Sequence, residues 1–289
     1  MFGDSYSDNG NTFKKSSNTY PGRAYSLGRF TNGPTWSEYL AMKLGIDNMD
    51  ITAYRNYAYG QAQLLGKIEL LTHNEEKEWS FTVPDLSSQI DEYLKDVNIN
   101  PNNSLFFVFI GTNDVLNYKP ISKEENKAFI SDLLHHLSQQ INRLKEIGAN
   151  RIILFKWRDL KHFPLSKQLA DEYQNNYLNT LDEMIEQFNL GILNLYQNDR
   201  IVHLYDTYSF DYKVYSSLKK YQWRGQKLYL YEKENACYLH GGNYIDYIHN
   251  KYCSSPWTHW FFDRIHPTTY IDFLMSEDVY FFLVKANLV

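Results

Sequence analysis

Two spacings of apolar residues alternate along the chain. Apolar runs at 105–110, 151–157 and 201–205 predict buried strands of a parallel sheet. Between and around them apolar residues recur at helical spacing. Trp36, Tyr39, Leu40 and Leu44 predict a helix over 34–44, with Pro34 near its start. Leu86, Ile90, Tyr93 and Leu94 do the same over 84–97. Phe129, Leu133, Leu137, Ile141 and Leu144 predict a long helix over 123–147, stopped by Gly148. Leu169, Tyr173, Tyr177, Leu181 and Ile185 predict another over 166–190, ending at Gly191, and a final helix is expected over 278–287. Strand–helix–strand alternation predicts an α/β fold with right-handed crossovers. With no internal repeat, low-complexity tract or linker, the expectation is one domain over 1–289, least regular around 208–256.

The polar residues at the ends of these elements carry the candidate chemistry. Ser5 stands between Gly3-Asp4 and Ser7-Asp8-Asn9-Gly10. A serine there suits a nucleophile on a strand-to-helix turn, although the same residues also build ordinary turns. Asp4 and Asp8 read as turn and helix-start residues. Far downstream, Asp263 precedes His266 by three residues, a spacing that a compact acid–imidazole relay would use, although alone the pair also suits a helix cap or a loop. Gly60 sits in a small-residue stretch after Asn56, and Asn113 follows an apolar strand in Gly111-Thr112-Asn113-Asp114. Gly60 offers a backbone N–H and Asn113 an amide; with the N–H of Ser5 they would make a three-donor oxyanion hole. Alone, Gly60 also suits a turn and Asn113 a helix cap.

In this order the segments resemble the GDSL family of SGNH hydrolases. Ser5 matches its first-block serine, Gly60 its second-block glycine, Asn113 its third-block asparagine, and Asp263 and His266 its last block. The stretch 28–36 is similar to the family's segment after the first block. The stretch 158–164 is similar to an Asp-Leu-Gly-x-x-Pro segment, with Lys161 in place of the glycine. The resemblance implies a three-layer α/β/α fold of flavodoxin-like kind and a serine ester hydrolase with no metal or organic cofactor. It also implies catalytic Ser5, Asp263 and His266, and an oxyanion hole of Ser5, Gly60 and Asn113. The tail from Cys237 to His266 looks closest to bacterial secreted (lyso)phospholipases A and glycerophospholipid–cholesterol acyltransferases. A lipid or phospholipid substrate is therefore expected, with acyl transfer to cholesterol as an extension. The alternatives are an esterase for short-chain or carbohydrate esters, or a surface-binding protein on the same fold. The family's serine follows a full apolar strand. Here only Met1 and Phe2 precede Gly3, so that central strand is expected to be nearly absent.

Composition narrows the partners. A net charge of -5 and the lack of a basic run argue against nucleic acid. No stretch is long and apolar enough to predict a membrane span. The 25 tyrosines, 17 phenylalanines and 6 tryptophans are first of all packing residues, and they also suit an amphiphilic substrate. Cys237 and Cys253 flank a Gly- and Tyr-rich loop and predict one disulfide, hence an oxidising compartment. Secretion or a periplasmic location is expected, with the export signal absent from the chain. The loop at 238–250, just ahead of Asp263, is expected to border the site as a lid or clip. The six histidines outside the long-helix pair and the last block, and that pair itself, have no acidic partner within a family block and read as structural.

Overall fold

A strand buried on both faces must be apolar throughout; the stretches 106–109 and 152–155 obey this, whereas 202–205 carries the half-buried His203. In the computed structural model, residues 1–47, 50, 53–73, 78–96, 100–120, 122–173, 176–216, 221–223, 226–239 and 252–289 are described. The chain opens with β1 (Phe2–Gly3), α1 (Asn11–Lys15) and α2 (Trp36–Lys43). A hairpin, β2 (Ile68–His73) and β3 (Glu78–Val83), leads to α3 (Leu86–Lys95), β4 (Phe106–Phe109), α4 (Thr112–Asn117) and α5 (Lys123–Glu146). Next come β5 (Ile152–Phe155), α6 (Pro164–Tyr173), α7 (Tyr177–Tyr196), β6 (Val202–Tyr205) and α8 (Thr207–Ser216). The chain closes with β7 (Tyr221–Trp223), β8 (Gln226–Leu228), β9 (Glu232–Ala236), β10 (His259–Phe261) and α9 (Thr269–Lys285).

The main sheet is parallel, in the order β1-β4-β5-β6. Side chains alternate across it. Phe107, Phe109 and Phe155 meet Trp36 of α2, and Tyr205 meets Phe282 of α9. Phe2 and Phe106 meet Tyr93 of α3 on the other face, where α5 and α7 also pack. Helices thus cover both faces, the three-layer α/β/α arrangement expected.

The short first strand lies at the edge of the described sheet, not at its centre as expected. It pairs only Phe2 with Val108 and Gly3 with Phe109. Other groups hold it in place. The Gln89 amide, reaching from α3, accepts from Gly3 N at 2.9 Å and donates to Gly3 O at 2.9 Å. On the far side Tyr57 N donates to Met1 O at 2.9 Å and Tyr59 N to Gly3 O at 3.2 Å. Two residues of strand therefore carry Ser5 with the backbone bonds of a longer one.

Three expected helix limits move. The single helix over 166–190 is two, α6 and α7, and Asn176 at the junction has a left-handed φ of 64°. Gly191 does not end α7, because a Cβ there would lie 2.3 Å from Leu134 of α5; the glycine allows the helices to approach. The last helix begins at Thr269, well before the expected start at 278. Its buried residues include Tyr270, Ile271, Leu274, Met275, Val279 and Leu283, but also Asp272 and Ser276. With no polar stripe opposite an apolar one, periodicity could not mark its start. The 208–256 region holds α8, the β7–β8 hairpin and β9, which pairs in parallel with β10.

Candidate active site

Everything that meets at the site leaves the C-terminal end of a strand or the turn beside it, where open parallel sheets place their ligands. After β1 the chain turns at once: Ser7 N and Asp8 N both donate to Asp4 O, at 3.0 and 3.1 Å. This turn lifts Ser5 to the sheet edge. On the other side β10 runs into a tight loop, closed by Phe262 N donating to His266 O at 2.8 Å.

The structure brings the three expected catalytic residues together across the chain. Ser5 Oγ lies 2.7 Å from His266 Nε2, and His266 Nδ1 lies 2.7 Å from Asp263 Oδ2. The other carboxylate oxygen, Oδ1, accepts from Ile265 N at 2.8 Å and His266 N at 2.7 Å. Asp263 has no exposed surface and His266 is 2% exposed. Burial alone would raise the Asp263 carboxyl. The charge and hydrogen bond of His266, the Tyr25 hydroxyl and the Ile265 N–H outweigh it and hold the carboxyl below its ordinary range. The imidazole is wedged between the rings of Phe30 and Tyr6, at centroid distances of 5.2 and 5.9 Å.

The three expected oxyanion donors differ in their engagement. Ser5 N–H finds no acceptor among the described residues. Asn113 Nδ2 donates one hydrogen to Ala62 O at 2.9 Å, which leaves the other to point elsewhere. The Gly60 N–H is committed: it meets Asp8 Oδ2 at 2.9 Å and Thr12 Oγ1 at 2.7 Å. Gly60 still has a steric role, since a Cβ there would lie 2.1 Å from the Phe30 ring. The next residue, Gln61, holds a left-handed φ of 66° in the turn closed by Ala62 N donating to Tyr59 O at 3.1 Å. Its own N–H has no acceptor among the described residues. A glutamine strained into a conformation that glycine prefers marks this turn as constrained.

Several residues that shape the site carried no clear sequence signal. The Asp8 carboxylate gathers the N–H groups of Gly10, Asn11, Thr12 and Gly60, tying the serine turn to the Gly60–Gln61 turn. Reading Asp8 only as a helix-start residue missed that long-range bond. Arg158 is buried against Asp211 through two hydrogen bonds of 2.9 and 2.7 Å, with its guanidinium 5.0 Å from the Tyr6 ring that backs His266. Cys237 and Cys253 form the disulfide. Most of the expected lid at 238–250 lies outside the described residues.

Two carboxyls near the serine are held up by burial. Asp4 is raised to about 7 against the opposing Tyr6 N–H, and Asp114 to about 7 against the Leu64 and Leu65 N–H groups. Between the ordinary carboxylate range and pH 7, the folded chain keeps protons there that the unfolded chain has lost. These two groups therefore make folding less favourable as pH rises through that window. Asp4→Asn removes one of the titrations. The fall in urea midpoint from pH 5 to pH 8 is expected to be smaller in the variant than in the parent. Equal pH dependence in the two proteins would contradict the reading.

No helix among the described residues is long and apolar enough to cross a membrane. The family model of GDSL-like lipases and acylhydrolases matches residues 1–279. The chain is 25% identical to a GDSL esterase/lipase of Arabidopsis thaliana, over 92% of this chain and 74% of that protein. It is 26% identical to a phosphatidylcholine-sterol acyltransferase of Aeromonas hydrophila, over 85% of this chain and 66% of that protein. Among solved structures, a possible lipase from Chitinophaga pinensis aligns with a TM-score of 0.46 at 14% identity, covering 100% of this chain and 98% of that one.

Proposed function

The chain belongs to the GDSL-like lipase/acylhydrolase family, a family of ester hydrolases, and from that premise we propose that it cleaves lipid esters through an acyl-enzyme on Ser5. The observation that carries the reading is the unbroken path Ser5 Oγ–His266 Nε2 and His266 Nδ1–Asp263 Oδ2, each step 2.7 Å. Ser5 Oγ attacks the ester carbonyl while His266 Nε2 takes its proton. Asp263 holds the imidazole and balances the imidazolium. The oxyanion is received by the N–H groups of Ser5 and Gln61 and by the second Nδ2 hydrogen of Asn113. Gln61 takes the place expected of Gly60, whose N–H is spent on Asp8 and Thr12. The tetrahedral species collapses, His266 returns the proton to the leaving alcohol, and Ser5 keeps the acyl group. Water, activated by the same imidazole, completes hydrolysis. A second alcohol in its place gives acyl transfer.

The substrate class rests on two supports. One is the likeness to the Aeromonas acyltransferase. The other is the aromatic surround of the relay, Tyr6 and Phe30 against His266 with Tyr20 and Tyr25 behind Phe30, which gives the reacting ester an apolar setting. The enzyme is accordingly a (lyso)phospholipase A in chemistry, with cholesterol as an acyl acceptor. The disulfide fits a secreted or periplasmic setting. The likeness to the Arabidopsis esterase supports a second reading, hydrolysis of short-chain or carbohydrate esters.

A panel of lysophospholipid, short-chain aryl and acetylated-sugar esters separates the two. Lysophospholipid is expected to exceed the acetylated sugar in kcat/KM by at least about tenfold, the scale on which an apolar pocket discriminates. Phospholipid plus cholesterol is expected to yield cholesteryl ester. Preference for the sugar ester would overturn the lipid reading.

A further inference from the structure

The Asp263 carboxylate has a third kind of partner that the acid–imidazole relay does not call for. Tyr25 Oη donates to Asp263 Oδ2 at 2.5 Å, on the same oxygen that accepts from His266 Nδ1. Tyr25 lies 238 residues away in sequence, on the loop after α1. We propose that Tyr25 is a positioning residue for the hydrolase reaction: its hydroxyl fixes the carboxylate on which His266 turns and tempers that carboxylate's pull on the imidazole. The proposal rests on Ser5, His266 and Asp263 acting as the triad.

Geometry supports more than an accidental contact. The Tyr25 ring is clamped edge-on by Phe262 and Tyr238, at centroid distances of 5.3 and 5.7 Å, and tilted against Phe30 at 6.2 Å. Phe30 in turn touches the His266 ring. Tyr238 follows Cys237 of the disulfide, is fully buried, and its N–H donates to Phe262 O at 2.6 Å. The clamp is thus pinned to the residue that immediately precedes Asp263. A ring held on three sides delivers its hydroxyl to one point, so the bond is preorganised.

The chemistry gives the hydroxyl a direction of effect. A carboxylate that accepts a further strong hydrogen bond is a weaker base. It therefore favours the imidazolium less. The groups facing the pair are Ser5, Tyr25 and Tyr6, with Arg158, Asp4 and Asp211 behind Tyr6. Among the described residues, only Tyr25 and His266 bond Asp263 Oδ2.

Tyr25→Phe keeps the ring and removes the hydroxyl. With 4-nitrophenyl butyrate as the probe, the acid limb of the kcat/KM–pH profile is expected to move up by about half a pH unit. KM should stay within about twofold, because the lost bond touches no substrate. In proton NMR the low-field His266 Nδ1–H resonance should move as the carboxylate gains basicity, a readout that does not depend on turnover. An unmoved acid limb together with an unmoved resonance would overturn the proposal. Ser5→Ala run alongside keeps the two readings apart. If it hydrolyses the ester like the parent, the triad itself is wrong. If it is inert while Tyr25→Phe titrates like the parent, only the role of Tyr25 is lost.

Discussion

Ser5→Ala is expected to abolish ester cleavage and leave the fold intact. Removing the nucleophile of a Ser-His-Asp triad costs about five to six orders of magnitude in kcat, because the remaining members then have nothing to activate. The fold should tolerate the change. Among the described residues Ser5 Oγ bonds only His266 Nε2, and the neighbouring turn is held by backbone bonds from Ser7 N and Asp8 N to Asp4 O. The alanine keeps the N–H that the oxyanion needs, so binding should survive as kcat vanishes. The lost bond is worth about 1 kcal/mol, too little to unfold a chain of this size. The check is kcat for 4-nitrophenyl butyrate together with the thermal midpoint, and labelling by a serine-directed phosphonate should disappear in parallel. Activity within a factor of ten of the parent would defeat the assignment of Ser5. A collapsed midpoint would show that the serine is structural.

Residues whose chemistry admits few substitutes were legible in the sequence. A nucleophile, a base with its acid three residues before it, and an amide donor leave recognisable letters, so Ser5, His266, Asp263 and Asn113 stand out as candidates once the family resemblance is added. A backbone N–H leaves none. Whether Gly60 or Gln61 offers its N–H depends on the peptide planes of one turn, set by the left-handed Gln61 and by Asp8 reaching from another loop. Tyr25 is one of 25 tyrosines, with no spacing that ties it to Asp263. Apolar runs mark buried strands well, and amphipathic stripes mark α3 and α5. The same logic finds only the last part of α9, whose first turns are buried nearly all round, and it merged α6 with α7 because their apolar residues stay in register across Asn176. The β2–β3 hairpin did carry a readable alternation, with Trp79, Phe81 and Val83 on every second position. Gln89, which holds the short β1, sits on the buried side of α3 where an apolar residue would be the ordinary expectation.

Asn113→Ala is the second change with a large expected effect. Its Nδ2 spends one hydrogen on Ala62 O at 2.9 Å, and that bond aims the other. The acceptor belongs to the turn that carries the Gln61 N–H, so in the proposed oxyanion hole one side chain would both supply a donor and set a second one. Loss of a single oxyanion donor costs about 10²–10³ in kcat, or about 2.7–4 kcal/mol in the barrier. The fall should lie in kcat and hardly in KM, since the negative charge exists only in the transition state. A buried Ala62 carbonyl without its donor costs a further ~1–3 kcal/mol of stability. These two losses have different temperature behaviour. A structural defect alone would restore kcat on cooling well below the midpoint, whereas a missing donor leaves kcat low at every temperature. Gln61→Ala is the control, because alanine keeps the backbone N–H; its kcat should remain within about threefold of the parent. A kcat for Asn113→Ala within about fivefold of the parent at low temperature would remove Asn113 from the oxyanion hole and leave it as a brace for the Gln61 turn.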